Sequence, residues 1–186
     1  MNITTARKTD APIIAKLIMQ AMTDDCCQNL AGEHKTLADF AAMMEDLVEM
    51  EDSQYSYRNT LTARTDDDEV AGVCVSYDGA DLRRLRQRFI EQAARQLDRD
   101  FSSMPDETEA GELYIDSLAV LPQYRRQGIA TALLQATIKK AESMRLPAGL
   151  LVDKGNPKAE KLYKEVGFTF VNDTAWAGHP MRHLQK

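Results

Sequence analysis

Strand-like and helix-like segments alternate along this chain, and that alternation limits its fold more than any other feature. Residues 2 to 7 alternate as a short opening strand, and Asp10 with Pro12 close behind starts a helix that runs to about Met22. Leu37, Phe40, Met44, Leu47 and Val48 recur at helical spacing within 36–51. Segments 58–64 and 69–77 read as strands paired across the acidic turn Thr65-Asp66-Asp67-Asp68. A further helix is predicted over 81–97, with Leu82, Leu85, Phe89, Ala93 and Leu97 on one face and Arg83, Arg84, Arg86 and Arg88 crowding its polar side. Residues 98–111 are acidic and broken by Pro105, so they form a loop. A strand follows at 112–120, then a turn at 122–128, a helix at 129–144, a strand at 148–152 and a helix at 157–166. Residues 168–171 form a strand, and the tail within 176–184 adds a last one. No repeat, low-complexity tract or linker interrupts this order. It predicts one α+β (mixed α/β) domain over 1–186, a central mixed sheet of about six to seven strands flanked by helices, with an extra helix inserted before the fourth strand.

Composition narrows the class further. With 186 residues, 44% apolar and 28% charged, the chain can bury a real core and is too hydrophobic for a disordered segment. No apolar run approaches the ~20 residues that cross a bilayer. Met1 to Thr5 lacks the basic-then-apolar layout of a secretory signal, so a cytoplasmic location without membrane association is expected. A net charge of −6 argues against a nucleic-acid partner, because phosphate contacts need a basic surface. Cys26 and Cys27 are adjacent and make poor disulfide partners, while Cys74 reads as a small buried hydrophobe. His179 and His183 are four apart, but Pro180 between them breaks helical zinc-ligand geometry, so no metal is expected.

Charge is nonetheless unevenly placed. The window Leu121–Phe168 holds nine basic and four acidic residues, a balance of +5 that leaves −11 on the rest of the chain. A basic segment on an acidic protein suggests a local anion site rather than a surface that coats a polyanion.

The turn Arg125-Arg126-Gln127-Gly128-Ile129-Ala130 stands inside that window, after the strand ending Leu118-Ala119-Val120 and the intervening Leu121-Pro122-Gln123-Tyr124. The first turn of a helix carries free N–H groups and partial positive charge, which suit phosphate. Gly128 removes a side chain where a ligand must touch backbone, Ala130 keeps the next turn small, and Arg125 and Arg126 add full charges. The string alone is weak evidence. It lacks the further glycines of a dinucleotide site and the Gly-Lys-Ser/Thr of a nucleoside-triphosphate loop.

A second block, Asn156-Pro157-Lys158-Ala159-Glu160-Lys161-Leu162-Tyr163, follows about 25 residues downstream. Asn156 is placed to cap a helix that Gly167 closes, and Asn156, Ala159 and Tyr163 share one helix face. A small residue and a phenol on one face leave a slot beside a proton donor.

Together the two blocks resemble the acetyl-CoA-binding half of the GNAT (GCN5-related N-acetyltransferase) superfamily, across about 112–170. The resemblance implies that Leu118, Ala119 and Val120 offer backbone groups to the pantetheine arm. It implies that Arg125, Arg126, Gln127, Gly128, Ile129, Ala130 and Thr131 bind the pyrophosphate of acetyl-CoA. It also implies that Asn156 and Ala159 line the CoA arm, while Tyr163 protonates the departing thiolate. Acetyl would then pass by direct attack to a primary amine, with a backbone N–H at the strand's splayed end holding the oxyanion. The protein would act as a monomer or homodimer.

The general base is less plain. Histone-modifying relatives carry a glutamate where this chain has Tyr114, and Glu112 and Asp116 flank that position on the same strand face. Either carboxylate could accept the amine's proton, directly or through water, and either could be an ordinary ion-paired strand acid. The acidic cluster Asp24, Asp25 and Glu33 between the first two helices would suit a cationic acceptor, or be solvated loop charge. An acyl-CoA-binding module without catalysis is the alternative function.

Overall fold

The computed structural model describes residues 1–176 and 178–186. Among them, seven strands form one sheet in the order β1-β2-β3-β4-β5-β7-β6. The strands are β1 (Asn2–Thr5), β2 (Thr60–Arg64), β3 (Val70–Asp78), β4 (Leu113–Val120), β5 (Ala148–Asp153), β6 (Thr169–Trp176) and β7 (His179–Gln185). Every neighbouring pair is antiparallel except β4 and β5. A parallel pair needs a crossover, and the helix α5 (Ile129–Met144) supplies it. The expected mixed sheet is present, with α4 (Leu82–Leu97) inserted between β3 and β4.

The sheet has two apolar faces and both are covered. Helices α1 (Ala11–Met22), α3 (Leu37–Glu49) and α4 pack Leu17, Phe40, Leu47 and Phe89 against Val73, Val75 and Ala119. On the other face α5 and α6 (Pro157–Val166) bring Leu133, Leu134 and Leu162 onto Cys74, Leu113, Ile115 and Leu150. Among the described residues no helix is long and apolar enough to cross a membrane.

Three local expectations change. The acidic segment after α1 is in part a helix, α2 (Asp24–Ala31). Thr23 ends α1 and its hydroxyl accepts the Cys26 N–H, while Asp24 and Asp25 occupy the first turn, where the helix dipole favours them. Eight residues show too few turns for periodicity to reveal. The last two strands are longer than their patterns suggested and pair with each other from Thr169↔Gln185 to Trp176↔His179; Ala177, inside the tail strand read from the sequence, lies outside the described residues. Arg86, assigned to the polar side of α4, is only 3% exposed.

Two irregularities in β4 shape the centre of the sheet. Pairing with β3 runs Val75↔Ser117 and then Ser76↔Ile115, so Asp116 is skipped in a β-bulge. Side-chain parity shifts there: Leu113 and Ile115 face the α5 side before the bulge, and Leu118 and Val120 face it after. From α5, the Lys140 ammonium donates to the Ser76 carbonyl (3.0 Å) and hydroxyl (3.1 Å) at the bulge. Burial lowers the Lys140 pKa. The second irregularity is a splay. β4 and β5 pair only over Leu113–Ile115 and Ala148–Leu150; beyond that β4 stays with β3 and β5 turns to β7.

Candidate active site

A cleft of about 1260 Å³ opens at this splay. The Leu121 N–H donates to Ala71 at 2.9 Å, and antiparallel alternation then turns Ala119 and Ser117 toward β3. Leu118 and Val120 therefore aim their main-chain groups into the gap. The Val120 carbonyl is taken up by the side chains of Gln20 and Arg125, both at 3.1 Å. Among the described residues β5 does not pair with β4 beyond Ile115↔Leu150, so the Leu118 N–H and C=O and the Val120 N–H face the gap as a strand edge able to pair with an extended amide-bearing ligand.

At one end the edge runs into the basic turn. Arg126 (φ 63°) and Gly128 (φ 78°) are both left-handed, and backbone curled in this way can turn successive N–H groups toward an anion. A Cβ on Gly128 would meet no atom within 4 Å, so this position faces open cleft. Ile129, Ala130 and Thr131 continue the wall, and Arg125, Arg126 and Lys158 are its cations. Gln127 is different: its side chain turns back to the Gln123 carbonyl at 3.4 Å and does not line the cleft.

The opposite wall comes from α6. The Asn156 side chain accepts the Ala159 N–H at 3.1 Å, and Asn156, Ala159 and Tyr163 all line the cleft. The Tyr163 ring packs edge-on against Phe168, with centroids 6.0 Å apart. Burial pushes its pKa up to about 12, so the phenol stays protonated and can act only as a donor of its proton at neutral pH.

The structure separates the two candidate bases. Asp116 lines the cleft, where it accepts from Ser117 Oγ (2.9 Å), Tyr77 Oη (3.0 Å) and Gln54 Nε2 (3.3 Å). Burial outweighs those hydrogen bonds and raises its pKa, which makes it a stronger base than an ordinary aspartate. Glu112 is 4% exposed and lies outside the cleft. It accepts from Thr108 at 2.6 Å and Gln185 at 2.8 Å, and His183 Nε2 is 2.7 Å away. Its carboxylate lies on Gly149, where any Cβ would collide with it. Glu112 thus ties β4 to β7 and to the segment 98–111, and does not stand with Asp116 in the cleft. Tyr114 between them packs edge-on against Tyr77 and lines the cleft with its neighbour Asp116.

Of the acidic cluster Asp24, Asp25 and Glu33, Asp25 lines the cleft and the other two do not. Several lining residues had no signal in the sequence: Cys26 and Asn29 come from α2, Tyr55 from the loop before β2, Glu107 from the segment 98–111, and Trp176, His179 and Met181 from the last hairpin. The acids lining the cleft are Asp25, Glu107, Asp116 and Asp153, the last with its Oδ2 3.3 Å from His179 Nδ1; the lysine and arginines lining it are Lys158 on α6 and Arg125 and Arg126 in the basic turn. Among the described residues no group of three or more His, Cys, Asp or Glu could hold a metal ion.

Comparison with known proteins agrees with this geometry. The Acetyltransferase (GNAT) family model matches residues 27–168. No curated protein matches the sequence. An acetyltransferase crystal structure is similar at 27% identity and TM-score 0.82, covering 100% of this chain and 98% of that one. An N-acetyltransferase from Staphylococcus aureus Mu50 is similar at 25% identity and TM-score 0.81, with 100% of both chains covered. A structure of histone acetyltransferase HPA2 and related acetyltransferase from Corynebacterium glutamicum shares the fold, at 17% identity and TM-score 0.71, covering 100% and 94%.

Proposed function

Because the chain belongs to the GNAT acetyltransferase family, we propose that it transfers an acetyl group from acetyl-CoA to a primary amine, both reactants meeting in the cleft as a ternary complex. The observation that carries this reading is the continuity of the cleft. One cleft is lined by the basic, glycine-opened turn, by the Asp116–Val120 edge and by the carboxylates of Asp25 and Glu107.

In this reading the N–H groups around Gly128 and the guanidinium groups of Arg125 and Arg126 hold the pyrophosphate. Leu118 and Val120 pair with the amide-bearing pantetheine arm as an added strand would, and Asn156 and Ala159 form the facing wall. The Leu118 N–H stabilises the oxyanion that forms as the amine attacks the thioester carbonyl. Asp116 accepts the amine's proton, and Tyr163 donates its phenolic proton to the leaving thiolate. In this reading the carboxylates of Asp25, Glu107 and Asp116 mark the acceptor arm and suit an acceptor that arrives as a cation. Three free thiols fit a cytoplasmic setting.

The test is thiol release from acetyl-CoA by the purified chain with polyamines, aminoglycosides, amino acids and peptide N-termini offered in turn. Release that depends on an amine, with the N-acetyl product seen by mass, is the expected result. CoA binding with no thiol release across the whole panel would favour a binding module instead.

A further inference from the structure

We propose that Tyr77 and Glu107 are positioning residues for Asp116: the Tyr77 hydroxyl gives its one proton to Asp116 while that carboxylate is ionised, and turns it to Glu107 when Asp116 takes up a proton. The catalytic meaning of this relay rests on Asp116 being the base of the reaction above.

The geometry that carries it is a phenol set between two carboxylates. Tyr77 Oη is 3.0 Å from Asp116 Oδ2 and 3.2 Å from Glu107 Oε1. A phenol has one proton and can donate to one acceptor at a time. Both contacts are hydrogen bonds only when one carboxyl carries a proton of its own. Glu107 is the poorer place for it, because its other oxygen lies against the Arg86 guanidinium, and the two side chains are only 6% and 4% exposed. An ion pair so deeply buried favours the carboxylate form of Glu107. Arg86 is itself fastened by the carbonyls of Met104 (3.2 Å) and Pro105 (3.0 Å) and by Asp106 (3.2 Å).

The other groups facing Asp116 do not compete for this proton. Gln54 and Ser117 are neutral donors to it. Tyr55, Tyr77 and Tyr114 surround it, each with a pKa raised by burial, and Cys74 lies deeper in β3 with its thiol pushed up to about 11. Arg86 from α4 and Glu107 from the following loop are the charged groups on its side of the network.

Protons balance across the step. One N–H bond of the acceptor ammonium breaks and one O–H bond forms on Asp116. That O–H donates to the Tyr77 oxygen, and the Tyr77 O–H rotates to Glu107 Oε1 without breaking. Each state keeps one charge-assisted hydrogen bond from Tyr77, to Asp116 before transfer and to Glu107 after. The inserted segment α4 and residues 98–111 thereby connects to the chemistry, instead of serving only as a cover.

The experiment is a pH titration of the full chain carrying ¹³C-labelled aspartate and tyrosine side chains, followed by NMR. The Asp116 carboxyl signal is assigned by its loss in Asp116→Asn. In the unmodified protein the Tyr77 ring carbon bearing oxygen should move with the Asp116 midpoint although the phenol does not ionise. Glu107→Gln removes the charged acceptor of the protonated state, so the Asp116 midpoint should fall by about one pH unit. In a Tyr77→Phe background the same substitution should move it by less than half as much. A full shift that persists without the Tyr77 hydroxyl means that Glu107 acts as a bare charge, and overturns the relay. So does a Tyr77 signal that stays flat through the Asp116 midpoint, which needs no variant of Glu107 to fold. An Asp116→Asn protein with full thiol release would instead remove Asp116 as the base, a different failure that leaves the titration result standing.

Discussion

The two arms of the cleft are built from different materials. The cofactor arm presents main-chain N–H groups, small residues and exposed cations at Leu118–Val120, Arg125–Thr131 and Asn156–Ala159. The acceptor arm presents side chains, and its central carboxylate is held by partners from the loop before β2, from β3 and through Tyr77 from residue 107. Backbone groups are supplied by the turn whatever the neighbouring side chains are, so the first arm depends on conformation at a few positions. The second depends on several segments packing in register. Damage should accordingly separate: cofactor-arm changes act on CoA affinity, and acceptor-arm changes act on turnover.

The sharpest separation should come from Asp116→Asn. We expect kcat/KM to fall about 10²–10⁴-fold, with CoA affinity by calorimetry unchanged. The acidic limb of the wild-type pH–rate profile should lie above the ordinary aspartate value of 3.8, because burial raises this carboxyl and the base works only when ionised. The stability sign is opposite to that of a salt-bridged acid. A carboxyl raised in the folded state binds its proton more readily there, so its stabilisation is present below the unfolded pKa and lost as pH rises through the folded one. Asp116→Asn should therefore melt higher than wild type at pH 7, an advantage that shrinks on acidification. A simultaneous loss of CoA affinity would break the division between arms.

Gly128→Asp is the reciprocal case. It sets a carboxylate and a Cβ into open cleft at a left-handed residue, and CoA affinity should drop on the order of 10³-fold while circular dichroism shows a folded chain. Undiminished affinity in that folded variant would remove the cofactor arm from this reading. Tyr163→Phe keeps the ring on Phe168 and deletes the acid, so kcat should fall about 100-fold with little change in KM for acetyl-CoA. Weakened CoA binding with normal kcat would reassign the hydroxyl to cofactor binding. The smallest effect is expected from Lys140→Met, which leaves the bulge carbonyl of Ser76 without its cation. Stability in urea should fall by about 1–2 kcal/mol, and CoA affinity should hold.

How far each arm could be read from the chain differs in the same way. Gly128 and the Asn156 cap were legible because a turn and a helix cap are decided within four or five residues. The inserted helix was legible too, since its apolar face repeats over sixteen residues. Glu112 and Asp116 could not be told apart, because period-two alternation gives them one face. What divides them is a bulge at Asp116, the splay of β4 from β5, and the proximity of His183 and Gln185 to Glu112. Arg86 shows the limit from another direction: its position on a helical wheel is polar, yet the segment 98–111 folds over it and buries it against Glu107.

Hydrophobic period, capping and backbone freedom act over short separations, so the chain's local pattern settles the order of strands and helices and the positive, glycine-opened turn. Which carboxylate reaches the cleft, and what surrounds it, is settled only by packing in three dimensions. Asp116 is 62 residues from Gln54 and 39 from Tyr77, and Tyr77 is 30 from Glu107. Contacts at such separations exist only after the sheet has its register and the insertion has closed over it, and no local pattern carries that information.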